Sequence, residues 1–86
     1  MSTHDRINRD RRAKWQAYRE ANGIPPDAPF QGKDPWTECY EEMLDALNYL
    51  DQVQPKCQCE SDALEHSKLL VDAAARHCLR YMEDGQ

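Results

Sequence analysis

Eighty-six residues, 31% of them charged and 40% apolar with a formal net charge of −5, are enough for one small domain and a modest core. No run approaches the roughly 20 apolar residues of a membrane span, and the opening MSTHDRINRD lacks the apolar stretch of a secretory signal. The expectation is a cytoplasmic protein with reduced cysteines, folded as a single all-α domain over 1–86.

The first helix is expected from Ser2 or Thr3 to Asn22, with Ile7, Trp15, Tyr18 and Ala21 at helical spacing. Asn22-Gly23 ends it, because glycine accepts the left-handed backbone of a helix terminus. The loop GIPPDAPFQGK follows, its prolines and glycines forbidding further helix, with Ile24 and Phe30 expected to tuck it inward. Residues 1–22 carry Arg6, Arg9, Arg11, Arg12, Lys14 and Arg19 against Asp5, Asp10 and Glu20, a net of +3, and the remainder carries −8. A basic helix beside an acidic body predicts attraction within the chain or between copies. The overall acidity argues against nucleic acid as the partner.

The second helix is expected from Pro35 to Gln54, capped by Asp34 and stopped by Pro55. Trp36, Tyr40, Met43, Leu44, Leu47 and Leu50 form its apolar stripe, and Glu38, Glu41, Glu42 and Asp45 gather on the opposite side. Four carboxylates within two turns repel one another unless solvent, a basic partner or a divalent cation relieves them. The ordinary reading is a solvated face. The sharper one is a Mg²⁺ site, since Mg²⁺ takes hard oxygen ligands and leaves room for phosphates.

The third helix is expected from Asp62, with Glu65 completing a capping box, to about Glu83. Leu64, Val71, Ala74, Ala75, Cys78 and Met82 mark its inner face. Leu69, Leu70 and Leu79 widen the apolar arc beyond what one neighbour covers. The short linker PKCQCES makes helices two and three an antiparallel hairpin, with Cys39 and Cys78 near its open end. So much apolar surface on so short a chain predicts a homodimer that completes a larger bundle. Cys57-Gln58-Cys59 is a weak zinc signal without a second pair, and zinc is not expected. His66 and His77, eleven apart, share a face without sharing a metal. Trp15 and Trp36 are read as core or rim aromatics that could also stack on a base.

The run YEEMLDALNYL, whose ExxD is Glu42 and Asp45, resembles the second metal-binding motif of MazG-like nucleotide pyrophosphohydrolases. RRAKWQAYREANG and PFQGKDPWTECYEE are similar to small phage-encoded members, so the likeness covers roughly Arg11 to Leu50. It implies an all-α dimer in a bacterial host cytoplasm that hydrolyses nucleoside triphosphates to monophosphate and pyrophosphate with Mg²⁺. By that resemblance Glu42 and Asp45 are the catalytic ligands, Glu38 and Glu41 are auxiliary ligands, and Arg11, Arg12 and Lys14 bind phosphate. The chain departs from the family where an earlier EExxE should stand, because the first helix offers only Glu20. Glu41, Glu42 and Asp45 also read as a variant first motif, with Asp62-Ala-Leu-Glu65 as a reversed second one. An incomplete ligand set leaves two roles open. One is a nucleotide enzyme or its nucleotide-binding remnant. The other is a non-catalytic phage protein that blocks a host defence or replication protein through its acidic face.

Overall fold

A computed structural model of the chain describes residues 1–29, 32 and 34–82. It contains three helices, α1 (Thr3–Ala21), α2 (Pro35–Leu50) and α3 (Gln58–Tyr81), and no strand among the described residues. The fold is all-α, as the periodicity predicts. The chain divides into two compact units, Met1–Phe30 and Gln31–Gln86.

In the first unit the ends of α1 follow local chemistry. Ser2 caps it, its Oγ accepting the Asp5 N–H at 3.0 Å, and the Asp5 carboxylate sits in the positive first turn. At the other end Gly23 adopts φ +66, the Ile24 N–H reaches the Arg19 carbonyl at 2.9 Å, and the Gly23 N–H reaches the Glu20 carbonyl at 3.3 Å. That pair of bonds is a Schellman closure, which leaves the chain running back along the helix. Arg19 then holds the loop, donating to the carbonyls of Pro25 and of Ala28, the latter at 2.9 Å. Its guanidinium also lies 5.2 Å over the Trp15 ring, which stacks on Tyr18 at 5.3 Å. No residue of α1 is buried. Ile24 is half-buried, in keeping with its expected inward turn, and Phe30 lies outside the described residues.

In the second unit α2 and α3 pack against each other as an antiparallel hairpin. Lys68 Nζ meets Asp51 Oδ1 at 3.1 Å near the closed end, and Trp36 meets Tyr81 at 5.3 Å near the open end. Ser61, Leu64, Lys68, Val71, Ala75, Cys78 and Met82 are all at least half-buried. Their alternating three- and four-residue spacing is that of a helix seam packed on one neighbour. Only Ala75, Cys78 and Met82 of this stripe are buried, with Thr37 the buried residue of α2.

Three boundary expectations need correction. Helix α2 ends at Leu50, short of Gln54, because the Gln52 and Val53 N–H groups bond to Tyr49 and Leu50 in tight three-residue turns. The residue before Pro55 is also biased away from helix. Helix α3 starts at Gln58, before Asp62, and its cap is the Cys57 sulfur, accepting the Glu60 N–H at 3.4 Å. Asp62 is inside the helix, accepting from Gln58 Nε2 at 2.8 Å. Asp34 occupies the N-cap position of α2, but its side chain takes no helix N–H and instead accepts from the Thr37 hydroxyl at 3.3 Å. Helix α3 closes at Tyr81, and Glu83 lies outside the described residues.

Candidate functional site

The four carboxylates of α2 are presented unequally. Glu38 and Glu41 are half-buried, whereas Glu42 and Asp45 are exposed. At about 100° per residue all four fall within roughly a 100° arc of the helix. Glu42 and Asp45, three apart, are neighbours on successive turns. Among the described residues, however, no group of three or more His, Cys, Asp or Glu side chains converges where it could hold a metal ion. Among the described residues the four therefore form a row of carboxylates along one helix rather than a converging cluster.

The acids of α3 do not supply what is missing. Asp72 Oδ2 accepts from Arg76 Nε at 2.7 Å, a bond that raises the Arg76 pKa further above its already high value. Asp62 accepts from Gln58 Nε2 through Oδ1, and both Asp62 and Glu65 are exposed on α3. The cations assigned to phosphate belong to the first unit. Arg11, Arg12 and Lys14 are exposed and make no ion pair or hydrogen bond among the described residues. Arg6 and Arg9 differ, sharing Asp10 at 3.7 and 3.2 Å.

The cysteines are free thiols, three exposed and Cys78 buried. Burial pushes the Cys78 thiol above its ordinary range, and the nearby Cys39 pushes the same way. The two do lie close enough to sense each other, as the hairpin geometry predicts. This has a consequence for stability. With its pKa raised in the folded state, Cys78 contributes stability that is complete below the ordinary thiol value of about 8.5 and is lost as pH rises through its higher folded value. The urea midpoint should fall as pH rises through and above the ordinary thiol range, and Cys78→Ala should flatten that fall. An unchanged slope in the variant would show that Cys78 does not govern it.

Some side chains with evident roles were not legible beforehand. Trp15 and Arg19, four apart, did carry an i,i+4 signal, but the loop carbonyls that Arg19 grips are not encoded in spacing. The first unit also holds a cavity of about 510 Å³, bounded in part by Trp15, Arg19, Ile24 and Pro26. Trp36 meets the Tyr81 ring at 5.3 Å and remains exposed. His66 and His77 are exposed on α3.

Fold and site together define an all-helical protein built on an amphipathic hairpin, with an acidic row along α2 and no helix long and apolar enough to cross a membrane among the described residues. No family model matches the chain, and no curated protein or solved structure matches it.

Proposed function

We propose that this chain is a small MazG-like nucleotide-binding protein that works as a homodimer, its second copy completing what one α2 row leaves unfinished. The observation that carries this reading is the coexistence, in one hairpin, of an unfinished carboxylate row and uncovered leucines. Glu42 and Asp45 stand exposed on α2, while Leu44, Leu69 and Leu70 of the same hairpin remain 40, 66 and 61% exposed. Apolar surface of that extent draws a partner. A symmetric partner brings a second row of carboxylates to the assembly. Two rows could share a Mg²⁺ ion that in turn polarises the phosphates of a nucleoside triphosphate, with water attacking to release pyrophosphate.

The test is pyrophosphate release from a panel of ribo- and deoxyribonucleoside triphosphates with Mg²⁺ or Mn²⁺. Wild type should release it, and Glu42→Gln should lose at least about a hundredfold, the usual scale for removing a group that acts in the transition state. Equal release by Glu42→Gln, or none by wild type, removes the catalytic reading.

A second reading rests on the departure from the family's acid pattern, since the first helix offers only Glu20 where an EExxE should stand. In that reading the acidic face of α2 docks on a basic surface of a host protein and performs no chemistry. Charge reversal at Glu38 and Glu41 should then weaken a purified partner's binding and its salt dependence together.

A further inference from the structure

The nucleotide reading asks of the first unit only exposed cations for phosphate, yet this unit also contains a cavity. A groove of about 510 Å³ lies between the second half of α1 and the loop that folds back on it. Its walls are apolar, from Trp15, Ile24 and Pro26, and two guanidiniums, Arg12 and Arg19, line it as well. Seven residues separate the two arginines, so they stand about 10 Å apart along the helix, with Trp15 between them in sequence.

The charges in this groove are not balanced. Arg19 is held by the neutral carbonyls of Pro25 and Ala28, which fix its position and leave its positive charge in place. The acid on the wall, Glu20, accepts from the neutral Gln16 Nε2 at 3.1 Å and keeps its charge too, so Arg12 and Arg19 leave the lining with one net positive charge. Arg12 is exposed and makes no hydrogen bond or ion pair among the described residues. Guanidinium groups match phosphate oxygens in a bidentate fashion, and a guanidinium over an indole extends a flat surface suited to another ring.

We propose that this groove binds a small aromatic phosphate of the nucleoside monophosphate class, the phosphate on Arg12 and the ring against Ile24, Pro26 and the Arg19–Trp15 pair. The volume falls within the roughly 300–1,000 Å³ of small-molecule sites and is too small for a partner helix. A bare anion leaves the apolar walls unused, and a neutral ring leaves Arg12 unused. Arg19 positions the site as well as lining it, because the bonds that hold the loop also hold Ile24 and Pro26 opposite the helix. The described lining of the site belongs to the first unit, and the proposal requires neither Mg²⁺ nor the α2 carboxylates.

The experiment is a titration of the full chain in EDTA, followed by the indole N–H signals in two-dimensional NMR, with Trp36→Phe assigning Trp15. Adenosine monophosphate should shift Trp15 to saturation, while adenosine and inorganic phosphate each bind at least about tenfold more weakly, the scale of one charged contact. Arg12→Glu, at an exposed side chain that holds nothing in the fold, should weaken the monophosphate at least about tenfold. Ile24→Asp should weaken it by loss of the apolar wall. No saturating shift at Trp15, or equal affinity of Arg12→Glu, or inorganic phosphate matching the monophosphate, overturns the proposal. Glu42→Gln should bind the monophosphate in EDTA as wild type does, so loss of pyrophosphate release and loss of groove binding remain separable results.

Discussion

Replacing Leu69 and Leu70 together by Glu is expected to dissociate the proposed homodimer into monomers. Both leucines lie on α3 away from the seam that meets α2, and they remain 66 and 61% exposed. Covering a leucine that is largely open recovers about 1 kcal/mol or more of transfer free energy, at roughly 25 cal/mol per Å² of apolar surface. A symmetric interface counts each side chain twice, so losing both should weaken association by about 4 kcal/mol, near a thousandfold in Kd. Added carboxylates at the joint increase the loss through desolvation and mutual repulsion. Sedimentation or light scattering at micromolar concentration reads the outcome. A wild type that sediments as a monomer refutes the assembly outright, and a double variant that stays dimeric moves the interface elsewhere. Leu69→Ala with Leu70→Ala separates the loss of contact from the added charge.

The other large effect is expected at Ala75→Asp. Ala75 is 6% exposed on the face of α3 that meets α2, in the same stripe as Cys78 and Met82. An aspartate there must lose its water or push the helices apart, at a cost of several kcal/mol. A small domain has about 5 kcal/mol of total stability to lose. Far-UV circular dichroism should show the helical signal of the second unit collapse, along with a thermal transition too weak to fit. A variant that melts within a few degrees of wild type would mean that this stripe is not the hinge of the hairpin's stability. Ala75→Gly, which leaves a small void and helix strain of about 1 kcal/mol, should fall between the two.

The two predictions differ in what they ask of the same helix. One stripe of α3 is buried on α2, and another holds Leu69 and Leu70 in the open. Periodicity showed that the apolar arc was too wide for one neighbour. The stripe that meets α2 is the inner face that spacing predicts, since Leu64, Val71, Ala74, Ala75, Cys78 and Met82 are all at least half-buried, but which of them are fully buried depends on how the two helices meet. The candidate site shows the same limit. That Glu38, Glu41, Glu42 and Asp45 share one side of α2 follows from the turn angle alone. That Glu38 and Glu41 are half-covered while Glu42 and Asp45 are open depends on how the helix is rolled toward its partner.

Local signals explain the remaining successes and failures. The ends of α1 were legible because Ser2 and Gly23 act within a few residues of themselves, through one hydroxyl and one left-handed turn. The start of α3 was missed because a thiol is a weak acceptor, so Cys57 did not register as a cap and Asp62 did. The grip of Arg19 on the Pro25 and Ala28 carbonyls spans six and nine residues, beyond the reach of any spacing rule.

By itself the sequence determined which segments are helical, where prolines and Gly23 interrupt them, and that the last two helices form an antiparallel hairpin. These features are set by backbone sterics and by hydrogen bonds a few residues long, which the chain carries wherever it goes. Only the tertiary structure decided how α2 rolls toward α3, so that Glu38 and Glu41 are half-covered and Glu42 and Asp45 open, and which guanidinium closes the loop over Trp15. Those outcomes depend on which surfaces meet, and helical repetition offers several equivalent choices until packing removes all but one.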